Sequence, residues 1–341
     1  MKKRLVFLYL VIALLIVLSV ILFVVDYFVN KKINHENKAQ IKIEEKNTIE
    51  YKANQTIRVR YSKTGVIVAM DINDYLRGVV PSEMPPTYNI EALKAQALVA
   101  RTYTYQKMLS HGEGEDADIC DNYAHCQAFC DKEKLFQIWR RRGFSNEEIN
   151  KYWDKINEAV VSTQNEVIMY NKQYIKAFFH ASSPNKTEDI DQIWGGERLP
   201  YLVSVENKED SKYENRTSCS EISFDDVILK LKENNLSRDV ISNDDVRCTC
   251  INEYTTSGRV RNIKIKNIII SAEKLRIIFG LKSTNFTVTI KDNSICFNVL
   301  GYGHGVGMSQ VGANFYANEE NLKYQDIVKH YYTGVEIVKL M

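Results

Sequence analysis

An excess of charge of either sign is missing from this chain. Lys and Arg number 45, Asp and Glu 43, and the formal net charge is +2. So even a balance gives no support to nucleic-acid binding as the main task. Gly (15) and Pro (5) are scarce in 341 residues, which excludes collagen-like and low-complexity chains. A shortage of apolar residues is not among the deficits: they make up 45%, which excludes general disorder. An even cysteine count is also lacking. Seven Cys cannot form a fully paired disulfide framework within one chain. Trp is rare at 3, whereas Tyr is abundant at 20.

Only one stretch is long and apolar enough to span a bilayer. Met1-Lys2-Lys3-Arg4 precedes LVFLYLVIALLIVLSVILFVV, Leu5 to Val25, which carries no charge. A spanning helix needs about 20 apolar residues. A signal-peptide core is shorter, roughly 7–15 residues, and ends in a small-residue cleavage site. No Ala-x-Ala pattern lies near Asp26, so the run reads as an uncleaved single-pass anchor. The basic start favours a cytoplasmic N-terminus, although Lys31 and Lys32 beyond the run dilute that bias. The expected organisation is an anchor over 1–30, a polar stalk over 31–55 and a folded domain over 56–341. Alternation from Ile57 to Tyr61 and again from Val66 to Met70 predicts a hairpin around Lys63-Thr64-Gly65. Asp71 is the expected N-cap of a short helix toward Leu76.

The densest chemistry lies between Val79 and Gln127. Val79-Val80-Pro81-Ser82-Glu83-Met84-Pro85-Pro86 reads as a rigid turn that holds one carboxylate among apolar neighbours. Asn89 caps the next helix, which carries Ile90, Leu93, Ala97, Ala100, Thr104 and Met108 at helical spacing. A carboxyl held against apolar groups has a raised pKa and can donate a proton near neutrality. The plainer reading of Glu83 is a helix-entry residue that satisfies backbone amides. Further on, His111, Cys120, His125 and Cys126 fall within sixteen residues and match zinc-ligand types, without zinc-finger spacing. A Cys120–Cys126 disulfide is the alternative.

Later segments exclude two enzyme classes. His180, Ser182 and Ser183 follow a predicted hairpin over Glu166–His180, but no Gly-x-Ser-x-Gly elbow supports a serine hydrolase. Gly301, Gly303, Gly305 and Gly307 lack both the dinucleotide spacing and a Gly-Lys-Ser/Thr, which argues against a nucleotide loop. They sit between a strand-like ICFNVL and a helix expected from Ser309. SFDDVILKLKENN reads as a helix, and Ile263–Ile270, Leu275–Phe279 and Phe286–Ile290 read as strands. Cys219, Cys248, Cys250 and Cys296 have no spacing that decides their state.

Three of these segments together resemble one family. YLRGVVPSEMPP…EALKAQALVARTYTY, FFHASSPNKTED and GYGHGVGMSQVGA are similar, in order, to the motifs of the stage II sporulation protein D family. Its members are membrane-anchored peptidoglycan lytic transglycosylases of sporulation, with amidase enhancers as relatives. The resemblance implies an α+β ectodomain of mixed helices and antiparallel hairpins, two-lobed, with a substrate groove, on one transmembrane helix. It makes Glu83 the catalytic acid/base and favours zinc in the Cys-rich loop, on His111, Cys120, His125 and Cys126, with Cys130 as substitute for one His. It suggests Ser183 and Thr187 as substrate contacts. His304, Ser309 and Gln310 are candidate binders beside a glycine backbone packed close to a sugar, with His304 alternatively a structural histidine. The implied substrate is glycan already stripped of stem peptides. The implied partners are the amidase stage II sporulation protein P and the membrane protein M, at the mother-cell membrane during engulfment. A non-catalytic amidase enhancer or glycan-binding scaffold is the alternative.

Overall fold

A computed structural model describes residues 56–341 except 111–115, 211–212, 214–215 and 238. The anchor, the stalk and His111 lie outside the described residues. Among the described residues no helix is long and apolar enough to cross a membrane. The expected first hairpin is present as β1 (Thr56–Arg60) and β2 (Ile67–Asp71), paired antiparallel. Asp71 accepts the Asn73 N–H at 2.8 Å and starts helix α1 (Ile72–Glu83).

Helix α1 does not stop near Leu76 but runs to Glu83, so the Val79–Glu83 part of the segment expected as a turn is helical. Pro81 lies inside it, two residues from the end, where the ring leaves little helix to disturb beyond it. Ser82 Oγ donates to the Gly78 carbonyl at 2.6 Å. Met84 is extended, as a residue before proline prefers, so Pro85 ends the helix directly after Glu83. Asn89 caps α2 (Ile90–Leu109), accepting the Glu91 N–H. Helix α2 is buried on nearly all sides and forms the centre of the domain. Its Arg101 is 1% exposed and donates to Asn73 Oδ1, the Val160 carbonyl and the Thr163 carbonyl, at 2.9, 3.1 and 2.8 Å. After β3 (Ile119–Cys120) come α3 (Lys132–Arg141) and α4 (Asn146–Ser162), and the one guanidinium thus joins α1 and α2 to the C-terminal end of α4. The capping box of Ser145 and Glu148 starts α4.

Strand β4 (Glu166–Tyr170) turns into β5 (Gln173–Tyr174), which ends well before His180. The chain instead forms a separate two-residue strand, β6 (Phe179–His180). Next come β7 (Asn185–Lys186), α5 (Ile190–Trp194) and β8 (Glu206–Asn207). The stretch from β9 (Thr217–Ser223) onward contains α6 (Phe224–Glu233), α7 (Asn243–Arg247), β10 (Cys250–Tyr254), β11 (Val260–Ile265), β12 (Ile268–Ser271), α8 (Ala272–Phe279), β13 (Phe286–Ile290) and β14 (Ser294–Leu300). Leu275–Phe279 is therefore helix, not strand. Ser271 accepts the Lys274 N–H as N-cap, and Gly280 ends the helix in the left-handed conformation. This stretch packs around its own apolar core, which includes Phe224, Val227, Val246, Ile263, Leu275 and Phe297. The chain closes with β15 (Met308–Ser309), α9 (Gln310–Glu319), α10 (Tyr324–Tyr331) and β16 (Glu336–Lys339). β16 returns to pair antiparallel with β4. The class is α+β, with mainly antiparallel sheets.

The pairing that matters most for the site is parallel and short. Met308 and Ser309 of β15 lie against Phe179 and His180 of β6. It brings the second and third motifs together from more than a hundred residues apart.

Candidate functional site

Glu83 ends α1 at the wall of a cavity of about 1370 Å³. That exceeds the roughly 300–1,000 Å³ usual for a small-molecule pocket. Protein surrounds most of the carboxyl, yet it still opens on the cavity. Burial pushes its pKa up to about 7. The Ala128 N–H, donating to Oε1 at 2.5 Å, and the Gln310 side chain restrain the rise by favouring the charged form. Gln310 also donates to Gln96 Oε1 of α2, at 3.3 Å. Glu83 is thus held by a backbone amide from one side and by a side chain of the third motif from another.

The wall is rich in aromatic residues. Tyr88, Tyr103, Tyr123, Tyr213 and Tyr302 line it, which gives the high Tyr content a local meaning. Trp194 is 45% exposed and packs at 5.0 Å, centroid to centroid, on both Phe178 and His304. Trp139 is 1% exposed yet also lines the cavity. The second carboxylate among the lining residues is Glu273, paired with Arg276 at 2.8 Å.

The Cys-rich loop borders the same cavity. Cys120, His125 and Cys126 place one ligand atom each within 4.8 Å of one another. Cys120 Sγ and Cys126 Sγ lie 3.6 and 3.9 Å from His125 Nδ1. None of the seven cysteines, all among the described residues, is in a disulfide. Two thiols and an imidazole suit zinc, which takes four such donors in structural sites. Cys130 stands outside this trio, on the cavity wall, and burial raises its thiol pKa. The loop runs from Cys126 through Gln127 to Ala128, so whatever orders the trio also orders the amide that holds Glu83. Gln127 is buried and donates to Tyr75 Oη and Thr104 Oγ1, which fixes the loop against α1 and α2. Gly78 allows this approach, because a Cβ there would lie 2.4 Å from the Phe129 ring.

The remaining sequence candidates divide. His180, His304 and Gln310 line the cavity; Ser183, Thr187 and Ser309 do not. Ser183 is fully buried, with Oγ donating to the Lys186 carbonyl and accepting from Arg259 Nη2. Thr187 is fully buried and accepts the Val205 N–H. Ser309 caps α9 and donates to Glu209 Oε1 at 2.6 Å. These three hydroxyls build the frame rather than contact what enters the cavity. The His304 ring accepts the Val306 N–H at Nδ1, and its pKa is lowered to about 3, first by burial and then by Arg276 and Arg259. It is therefore a neutral histidine on the wall. His180 is also kept neutral by burial, and its Nε2 has no partner among the described residues.

All four glycines of the third motif have positive φ, but their close neighbours are protein. A Cβ at Gly307 would lie 2.0 Å from the Phe178 carbonyl oxygen, and one at Gly301 2.8 Å from the Ser182 oxygen. One at Gly305 would meet the Arg259 guanidinium at 2.6 Å. Gly301, Gly303 and Gly307 make room for the second motif and Gly305 for Arg259, so protein neighbours already account for all four.

Two residues of this frame escaped the sequence reading. Glu209 accepts from Ser182 Oγ, the Ser183 N–H, Asn207 Nδ2 and Ser309 Oγ, at 2.5–2.8 Å. Arg259 is 2% exposed and stands 3.6 Å from the fully buried Glu188. Neither lies in a motif, and apart from Asn207 beside Glu209 their partners are distant in sequence, so periodicity and spacing offered no signal.

Residues 60–170 match the family model described as "Stage II sporulation protein". The Stage II sporulation protein D of Bacillus subtilis is 32% identical over 277 residues, covering 78% of this chain and 74% of the relative. That of Bacillus amyloliquefaciens is 31% identical over 274 residues, with the same coverage of each. An Amidase enhancer of Bacillus subtilis is 27% identical over 310 residues, covering 77% of this chain and 40% of the relative. With its three motifs gathered around Glu83 and this identity along most of its length, the chain belongs to the stage II sporulation protein D family.

Proposed function

We propose that the protein is a lytic transglycosylase. It cuts the bond between N-acetylmuramic acid and N-acetylglucosamine in strands stripped of stem peptides, leaving 1,6-anhydromuramyl ends. The observation that carries this reading is Glu83, a carboxyl raised to about 7 on the wall of a large aromatic-lined cavity. A group with that pKa exists in both forms near neutrality, so it can first give and then take a proton. Protonated Glu83 donates to the glycosidic oxygen, and the bonding pair leaves with the N-acetylglucosamine. Its carboxylate then accepts the proton of the muramyl 6-hydroxyl as that oxygen bonds to C1. No water is consumed. Hydrolysis at such a bond ordinarily uses two carboxylates. Here the other cavity carboxylate, Glu273, is engaged by Arg276, which favours the one-carboxylate route.

The groove is this cavity, and Trp194 offers an exposed ring beside it for a sugar face. Zinc on Cys120, His125 and Cys126, with His111 or Cys130 as fourth donor, would supply structural order to the loop and no chemistry at the scissile bond. The proposed setting is the mother-cell membrane of a spore former during engulfment. The Leu5–Val25 run is its single-pass anchor, the N-terminus is cytoplasmic and the domain extracytoplasmic. Stage II sporulation proteins P and M are the proposed partners, on the family resemblance. The relative named Amidase enhancer supports a second reading, a glycan-binding scaffold without activity.

The test is to incubate the protein and its Glu83→Gln variant with denuded glycan strands and weigh the products. Anhydro products from the wild type, reduced about 10²–10⁴-fold in the variant, are expected. Equal activity would remove Glu83 from the mechanism. Inactivity of both would favour the scaffold.

A further inference from the structure

We infer that Cys219 and Cys296 are a cross-strand dithiol built to close into a disulfide at the neck of the 217–300 insert. Their sulfurs stand 2.7 Å apart. The register explains the meeting: in the antiparallel pair β9–β14, Cys219 faces Asn298 and Cys296 faces Glu221. The two cysteines are diagonal neighbours on one face of the sheet, within reach of each other's side chains. Their separation is not far beyond the roughly 2.0 Å of an S–S bond, so closure demands little movement.

The position gives the bond a purpose. The insert enters through β9 and leaves through β14, and Thr217 pairs with Leu300 where the two strands begin and end. Just outside that pair, the Gly301 N–H donates to the Arg216 carbonyl at 2.7 Å, and the glycine motif of the cavity follows. A bond between Cys219 and Cys296 would staple both crossings and close a loop with the insert's apolar core inside it. Cross-linking a long loop limits what the unfolded chain can explore.

Reactivity is divided between the partners. Cys219 is exposed, whereas Cys296 is 5% exposed. The contact with Cys219 and then burial push the Cys296 thiol up, and nearby Lys291, itself paired with Glu221, only partly opposes this. The co-reactant is an external disulfide, either a small-molecule disulfide or an oxidised thiol–disulfide oxidoreductase. The Cys219 thiolate attacks one of its sulfurs and releases the other as a thiolate. Cys296, after losing its proton to solvent, attacks the Cys219 sulfur, forms the internal bond and expels the second thiolate. Two electrons thus pass from the cysteine pair to the external disulfide, while the thiol protons are lost to solvent, from which the two expelled thiolates can be reprotonated. The extracytoplasmic location proposed above favours the oxidised form, but the reaction itself rests on this geometry and not on glycan cleavage.

The test uses the full chain, freed of reductant, incubated with oxidised glutathione, quenched in acid, alkylated and mapped by mass spectrometry. A Cys219–Cys296 peptide lighter by two hydrogens is expected, sensitive to reductant and lost in both Cys219→Ser and Cys296→Ser. Glycan cleavage by Cys219→Ser should equal that of wild type, since neither cysteine lines the cavity. Oxidation should slow proteolysis within the insert by about tenfold or more. The inference is overturned if both thiols remain alkylatable, if Cys219 stops at a glutathione adduct, or if the bond forms to Cys248 or Cys250 instead. A bond without any gain in protease resistance would overturn its role as a staple.

Discussion

Replacing Glu83 by Gln should make the protein more stable at high pH while removing its proton donor. The amide keeps an oxygen for the Ala128 N–H, which now meets Glu83 Oε1 at 2.5 Å, and it carries no charge to bury. Burial lifts the folded-state pKa from 4.5 to about 7. Between those values the folded protein holds a proton that the unfolded chain has released, so stability falls as pH rises. Below 4.5 both states are protonated, and the native Glu costs nothing extra. Above 7 the full difference applies: about 2.5 units at 1.36 kcal/mol each, or about 3 kcal/mol. Urea unfolding of a fragment beginning at Thr56, the first described residue, reads this directly. The stability of Glu83→Gln minus that of wild type should grow by about 3 kcal/mol from pH 4 to pH 8. A difference that is flat to within about 0.5 kcal/mol would refute the argument that burial holds the carboxyl protonated. Cleavage by wild type should also decline above about pH 7, where the acid form disappears.

Metal analysis of the purified protein should find about one zinc, and Cys126→Ser should lose it together with most activity; less than about a tenth of an equivalent in wild type would sink the site. Gly307→Ala, which sets a Cβ against the Phe178 carbonyl at positive φ, should lower stability by at least about 1–3 kcal/mol in thermal or urea unfolding. Arg259→Met leaves buried Glu188 without its cation and should cost about 3–5 kcal/mol; adding Glu188→Gln should recover part of that loss.

Local signals carried the sequence reading where the chemistry was local. Asp71 and Asn89 cap helices because each side chain reaches an amide two residues ahead. Cys120, His125 and Cys126 are near neighbours in the chain, and a short loop brings them together. Tertiary context overrode the local signs elsewhere. Pro81 and Pro85 read as a turn, yet packing of α1 carries the helix past the first proline and the second ends it. Leu275–Phe279 reads as a strand by its apolar run, but Ser271 and Gly280 cap it as a helix.

By itself, the sequence determined the family, the glutamate on which the proposed chemistry rests and the clustering of Cys and His in one loop. All of these depend on residue identity at short spacing. Only the tertiary structure decided which motif residues face the cavity. Ser183, Thr187 and Ser309 carry hydroxyls suited to a sugar, but their hydrogen bonds are taken by Lys186, Arg259, Val205 and Glu209. It also decided what the glycines are for. Gly301 and Gly307 make room for the backbone of the second motif, a neighbour that exists only once β6 and β15 have paired. A side chain's type states what it can bind; burial and partners, set by residues far away in the chain, decide what it does bind.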